Sequence, residues 1–487
     1  SFRAERTGKM ILRFGEMLDE NGELTQKNIQ CSSKRKTTPL QRIIYRCRKG
    51  FIAYKTRFAV FGFRYCEISA DDLSDLEDAE FTAVAVYSDL RRTGFFKSSN
   101  ALLDQFVEST VWSARSNFLD IPTDCPTRER HGWTGDAQIF FDTAGWLFDC
   151  AAFFRKYVQD MYDWQRKDGC LPQIVPEGGV DFYMDAMNGS VGWADAGILI
   201  PYRFWKRYGD RSILEKYYKG MKKYARFMIK RCGKHTLLSK PLRIPHGYRK
   251  YAVNAGQSYG EWAEPADVHP NKWTDMVLPH PEVSTAYTSF VMGHMAEIAA
   301  ELGEEADSDL YREYARQVRR SYQAIRSLPE FTLDTDRQAM LVRPLYMGLL
   351  DTEGRKYAQE RLVKALDHYG WRLGTGFLST PLILDVLSEI DIGYAYRLLE
   401  NEEMPGWLFM PKHGATTIWE SWEGTEAQNG IASLNHYSKG AVCAWLFETM
   451  CGIRIDGENH FLLSPKPGGS FTYAGASYDS IYGTVAC

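Results

Sequence analysis

Hydrophobic positions change their spacing once along this chain, near Thr93, and that change divides the predicted structure. From Met10 to about Tyr87 the apolar residues come in short runs, MILRF, RIIYR, RFAVFGFRYCEI and FTAVAVYSD, separated by turn and charge clusters. That is the texture of β-strands. Asn21-Gly22 adds a hairpin signal, and Leu73 and Leu76 fall in an acidic connector, so residues 1–92 read as part of a β-sandwich. Beyond Thr93 the spacing becomes helical. Leu103, Phe106, Val107, Thr110, Val111 and Ala114 share one helix face behind Ser98 and Asn100 as caps. Ile213, Leu214, Tyr217, Met221, Tyr224, Ala225 and Met228 repeat the pattern behind Asp210, as do Leu310, Tyr314, Ala315, Val318, Tyr322 and Ile325. Roughly eleven or twelve such segments run to Met450. They share no repeat motif, which predicts a closed helical toroid over residues 93–455 rather than an open superhelix. After Ile455 the texture is β-like again, and residues 456–487 read as the start of a C-terminal β domain.

One stretch fits neither period. IPTDCPTRERHGWTGDAQIF, from Ile121 to Phe140, packs Asp124, Glu129 and Asp136 around Arg128, Arg130 and Trp133. Such an alternation makes no hydrophobic face, so burial alone does not account for it. Pro122 and Pro126 hold their neighbours out of the helical region while Gly132 and Gly135 supply conformations that residues with a Cβ avoid, which predicts a shaped loop on a polar cleft. A second cluster, GATTIWESWEG from Gly414, sets Glu420 and Glu423 beside Trp419 and Trp422. Two distant acidic loops rich in tryptophan point to sugar chemistry, because glycosidic cleavage needs an acid for the leaving oxygen and a base or nucleophile opposite.

Composition narrows the classes further. The 487 residues are 44% hydrophobic and 25% charged with a net charge of −3, so no footprint for DNA or RNA is present. An aromatic content of 14%, with 13 Trp and 28 Tyr, suits a carbohydrate-facing surface as well as a large core. The 10 cysteines are scattered without a CxxC pair, which reads as free thiols and a cytoplasmic setting. No apolar stretch is long enough to span a membrane, and SFRAERTGKM, without an initiator methionine or a signal-peptide core, reads as the interior of a longer protein. HExxH, GxxxxGK[ST] and GxGxxG are absent, so neither metal nor cofactor is called for.

DCPTRERHGWTGDAQ, from Asp124, closely resembles the signature of bacterial α-L-rhamnosidases, glycoside hydrolase family 78. Further segments follow in the family's order: SDLRRTGFF from Ser88, GWADAGILIPYRFWKRYGD from Gly192, YGEW from Tyr259, STAY from Ser284, TGFLSTPLIL from Thr375, GATTIWESWEG from Gly414 and SLNHYSKGAVCAWLF from Ser433. The resemblance implies an (α/α)6 barrel flanked by β-domains, and hydrolysis of terminal rhamnose with inversion. It implies Glu129 as general acid and Glu420 as general base, with Asp124, Arg128 and Asp136 on sugar hydroxyls. Trp133, Trp193 and Trp262 would be aromatic walls and His436 a contact near the base. The loop is one residue shorter between Arg128 and Glu129 than in many relatives, and YGEW replaces a commoner GDW, which makes Glu261 a lesser contact.

An inverting pair stands roughly 6.5–9.5 Å apart to admit a water. Glu129 must hold its proton near neutral pH, by burial beside Trp133 or by repulsion from Asp124 and Asp136, with Arg128 turned to the sugar or the aspartates. Glu420 must stay ionised, with Glu423 as its rival. Cys125 reads as a small packed residue and not a nucleophile. Competing readings are a structural salt-bridge network around a helix start for the charged loop, and ordinary core for Trp193, Trp262 and His436. The substrate is a rhamnose-containing glycoside or oligosaccharide, with no nucleic acid or membrane partner, and the sequence assigns neither the aglycone nor the oligomeric state. The alternatives are a related glycosidase for another terminal sugar, or a catalytically silent carbohydrate-binding protein.

Overall fold

Helices, several of them built on the predicted faces, form the larger part of the regular structure. Asn100 accepts from the Leu102 and Leu103 N–H groups at 3.0 and 3.1 Å and so starts the helix Ala101–Asn117, whose Leu103, Phe106, Val107, Val111 and Ala114 are buried. Ser212–Ile229 buries the seven expected residues, with Asp210 accepting from the Ser212 N–H at 2.9 Å. The structure, a computed structural model, describes residues 1–30, 41–72, 76–177, 185–236, 239–270, 272–424, 432–457 and 460–487. Among these, eleven helices of eight or more residues lie between Ala101 and Leu399. Pairs that are antiparallel neighbours in sequence, such as Pro281–Glu301 and Glu305–Ile325, pack along their length. One buried cluster runs from Phe96 to Tyr478 and joins these helices.

Three expectations need correction. Leu310 is 48% exposed while Tyr311 is buried, because Tyr311, Val318, Tyr322 and Ile325 define the inward face and Leu310 is turned a third of a revolution away. The last helical stretch is irregular: a 3₁₀ segment Tyr437–Val442, a single α turn, then a π turn Leu446–Met450. FTAVAVYSD forms no strand, and Phe81, Val84 and Val86 are exposed, since alternation gives a strand only where a neighbouring strand offers its edge.

In the N-terminal region the strand Gly8–Gly15 is central, antiparallel to Arg42–Cys47 on one side and Tyr65–Ala70 on the other. The hairpin predicted at Asn21-Gly22 joins Met17–Leu18 to Leu24–Thr25, with Gly22 at a φ of 79°. Leu73 and Cys31 lie outside the described residues, and Cys66, Cys125, Cys150, Cys170, Cys232, Cys443, Cys451 and Cys487 are free. Residues beyond 456 do not stand apart from the helices: Ala474–Ser480 pairs with Gly94–Ser98, and Tyr478 packs edge-on to Trp146 at 5.0 Å. Among the described residues no helix is long and apolar enough to cross a membrane.

At the centre of the helical region Arg343, 1% exposed, bridges Glu261 and Glu282. Glu261 also accepts from the Ser379 N–H and hydroxyl, each at 2.7 Å. Glu261 is therefore a buried packing charge and not the site contact that YGEW suggested. Arg343→Met strands two buried carboxylates, and should lower the unfolding free energy by about 3–5 kcal/mol, read from the urea midpoint.

Candidate active site

The charged loop lies between the short ladder Phe118–Leu119/Ile121–Pro122 and the helix Thr134–Leu147. Gly132 sits against Val175, where a Cβ would fall 2.1 Å from the carbonyl oxygen, and Gly135 admits the Trp193 indole at the helix start. Asp124 braces the turn, Oδ1 accepting from the His131 N–H at 2.9 Å and Oδ2 from the Cys125 thiol at 2.8 Å. Burial drives the Cys125 thiol well above its usual range, in keeping with a packed residue.

The second loop runs alongside the segment after Ala432. Glu420 N–H donates to Ser433 O at 3.0 Å, His436 N–H to Ile418 O at 2.7 Å, and Ile418 N–H to the Ser113 hydroxyl at 2.8 Å on the helix Ala101–Asn117. These bonds bring Glu420 to the first loop, with Arg128, 292 positions away in sequence, between it and Glu129. Arg128 Nη2 contacts Glu129 Oε1 at 2.7 Å and also binds Glu420 Oε1. Arg128 was expected to serve the aspartates or a sugar; it instead joins the two glutamates. Two oxygens that touch one nitrogen are closer than the roughly 6.5–9.5 Å expected of the pair, although their outer oxygens diverge. Glu129 Oε2 accepts from the Trp133 indole at 2.8 Å, and Glu420 Oε2 from the Ser433 N–H at 2.7 Å. Their side chains are 24% and 23% exposed, so a ligand can reach both.

The pair is electrostatically unequal. Burial raises Glu129, and Glu420 beside it adds to the rise; Arg128 and the Trp133 bond offset only part. Burial also pushes Glu420 upward, but Arg128, His436 and the Ser433 N–H outweigh it and hold that carboxyl below its ordinary value. Asp124 and Asp136 are pushed well up, first by burial and then by Glu129. His436 is buried, with Nε2 3.2 Å from Asp136 Oδ1 and Nδ1 3.0 Å from the Ser438 hydroxyl. Burial lowers His436 to about 4, so it is neutral above that pH.

Around Tyr259 the three predicted tryptophans meet. Trp133 is edge-on at 5.9 Å, Trp193 tilted at 4.6 Å and Trp262 edge-on at 6.1 Å. Trp193 is 3% exposed and stacked on Phe377, so it offers a ligand no open face, whereas Trp133 and Trp262 are half-buried. Glu423, the rival to Glu420, borders a cavity of about 790 Å³ with Phe63, Tyr65, Phe409 and Trp419, whose described wall includes neither Glu129 nor Glu420.

Sequence reasoning missed Lys439 and Glu16. Lys439 donates to the Glu420 carbonyl oxygen and lies 4.8 Å from the Trp422 ring, and burial lowers it to about 8. Its signal was the spacing of three from His436 inside SLNHYSK.

Residues 91–450 match the bacterial alpha-L-rhamnosidase 6 hairpin glycosidase domain, and residues 1–87 the concanavalin-like domain of the same enzymes. An alpha-L-rhamnosidase of Streptomyces avermitilis is 30% identical over 98% of this chain and 43% of its own length. One from Formosa agariphila is 31% identical over 98% of this chain and 49% of its own. The crystal structure of the Streptomyces avermitilis enzyme complexed with L-rhamnose superposes with a TM-score of 0.83 at 28% identity, covering 99% of this chain and 44% of that one. That of the alpha-L-rhamnosidase from Dictyoglumus thermophilum gives 0.84 at 29% identity, covering 99% and 52%. The chain spans about half the length of the curated relatives it matches.

The unequal pair makes opposite contributions to stability with pH. Ionised Glu420 stabilises the fold above its unfolded-chain value, a contribution lost as pH falls through its depressed folded value; ionising Glu129 costs stability as pH rises toward its raised value. Relative to wild type, Glu420→Gln should lose stability, and Glu129→Gln gain it, as urea unfolding is followed from about pH 3 to about pH 7.

Proposed function

The chain belongs to the bacterial α-L-rhamnosidase family, and from that premise we propose that it is an inverting exo-glycosidase releasing terminal non-reducing α-L-rhamnose. Glu129 is the general acid and Glu420 the general base. The observation that carries this reading is the opposite displacement of two glutamates that share Arg128. An acid must hold its proton until the leaving oxygen takes it, and a base must be ionised before the sugar arrives.

Glu129 protonates the glycosidic oxygen as the ring takes on oxocarbenium character. Glu420 removes a proton from water attacking the opposite face. Arg128 releases one carboxylate as the sugar and water enter, which widens the gap. Trp133 keeps the acid oriented through its indole N–H. Asp136 and His436 bind ring hydroxyls from the inner side, Trp133 and Trp262 form the wall, and Trp193 backs it. Asp124 holds the loop and reaches a hydroxyl only with its oxygens already engaged. The helices form an (α/α)6 barrel and the N-terminal strands belong to a β-sandwich. A cytoplasmic setting is part of the reading, supported by the free, buried thiols of Cys125, Cys150, Cys170, Cys443 and Cys451.

The test is hydrolysis of 4-nitrophenyl α-L-rhamnopyranoside with NMR of the first sugar released, which should be the β anomer. Glu129→Gln and Glu420→Gln should each lower kcat by about 10²–10⁴-fold with the fold intact. Wild-type rates in Glu420→Gln move the base role to Glu423, an α anomer released first rules out inversion, and cleavage of another aryl glycoside alone changes the sugar.

A further inference from the structure

We propose that Glu16, at the end of the central strand of the N-terminal sheet, is a positioning residue for the glutamate pair, holding the loops of Glu129 and Glu420 in register through four hydrogen bonds. This rests on the acid and base roles given above.

Glu16 is 5% exposed and follows the strand Gly8–Gly15. Its Oε1 accepts from the Thr127 hydroxyl at 2.8 Å and the Ser433 hydroxyl at 3.0 Å. Its Oε2 accepts from Asn28 Nδ2 at 2.8 Å and the Leu434 N–H at 2.8 Å. A carboxylate has about four lone-pair sites, and here each is used. Thr127 immediately precedes Arg128 and Glu129, while Ser433 carries the N–H that binds Glu420 Oε2 at 2.7 Å. One side chain from the β region thus touches the first loop two residues before Glu129 and the segment whose N–H binds the Glu420 carboxylate.

Two neighbours repeat the pattern. Asn28 Nδ2 also donates to Ala432 O at 3.2 Å, and Gln41 Nε2 donates to Thr127 O at 2.6 Å. Had the contact served only to glue the sheet to the helices, apolar side chains would do so without the cost of burying a carboxylate. Burial raises Glu16 even against these four donors, so the arrangement holds it at a cost in charge. What the carboxylate adds is direction: hydroxyl and amide donors from both loops are fixed at hydrogen-bond angles, and displacements near 1 Å at a catalytic group matter.

The electrostatic consequence runs through Ser433. Glu420 is faced by Arg128 from the first loop and by His436 and Lys439 from its own side, with Glu129 and Asp136 as neighbouring carboxyls. If the Ser433 segment relaxes, the N–H that favours ionised Glu420 is lost and that carboxyl titrates higher. The acidic limb of the pH profile then moves upward.

Wild type, Glu16→Ala and Glu16→Gln are compared on the aryl rhamnoside, with thermal unfolding of each. Glu16→Ala should lower kcat by about 10–100-fold with KM nearly unchanged, and raise the acidic limb of kcat/KM by about one pH unit. Glu16→Gln should recover most of the rate, because its amide oxygen can accept from Asn28 and Leu434 while its NH₂ donates to the two hydroxyls. Should Glu16→Ala not fold, Asn28→Ala is expected to move the same limb upward by less, and an unmoved limb there overturns the role. Wild-type kcat and limb in folded Glu16→Ala, or a loss matching only its unfolded fraction, also overturn it. A wild type that cleaves no rhamnoside defeats the assignment of the pair, and the positioning role falls with it; an active wild type with an equally active Glu16→Ala defeats the positioning role alone.

Discussion

A single guanidinium shared by two carboxylates governs the charge of this site. Arg128 is attached in sequence to Glu129 and in space to Glu420, and both contacts use the same nitrogen. Burial alone would drive both glutamates toward the neutral form. The shared cation offsets that tendency for both, and the remaining partners decide the outcome. Glu129 has one indole donor and a nearby carboxylate, whereas Glu420 has a backbone donor and sits beside His436. Unequal surroundings around a common ion make two chemically identical groups differ.

Holding that geometry falls to elements far from the two loops. Ser113 on the first long helix pins Ile418, Gly132 and Gly135 let backbone and indole pack where a side chain would clash, and the N-terminal sheet enters through Glu16. The helical region supplies the loops, but the β region fixes their mutual register. The pair is therefore a property of the combined fold and not of the helices alone.

The sequence showed what depends on local chemistry. The Ala101–Asn117 cap and face and the hairpin at Gly22 follow from neighbouring residues, and the structure carries them, whereas Thr134–Phe140, read as loop, opens the helix Thr134–Leu147. The juxtaposition of the two loops was legible only through the resemblance, since no periodicity relates Arg128 to Glu420, 292 positions away. Where tertiary partners decide, local reading failed. FTAVAVYSD has strand-like alternation but no edge to join, and Leu310 lost the inward face to Tyr311 because packing selects the rotation of a helix whose apolar positions allow either. Arg128 was expected on the sugar or the aspartates because a cation beside Glu129 works against its holding a proton. Glu16 gave no signal and Lys439 only its spacing from His436, being single charged residues whose burial appears only in three dimensions.

The pairing of Ala474–Ser480 with Gly94–Ser98 has a consequence for biosynthesis. Ser99 meets Thr472 across 373 positions, so the strand that leads into the first long helix leaves the ribosome with its edge bare until Ala474–Ser480 has been made. Closing so long a loop slows folding, and an unsatisfied strand edge invites wrong partners meanwhile. Nascent chains of this protein thus expose that edge while all the intervening helices are being made.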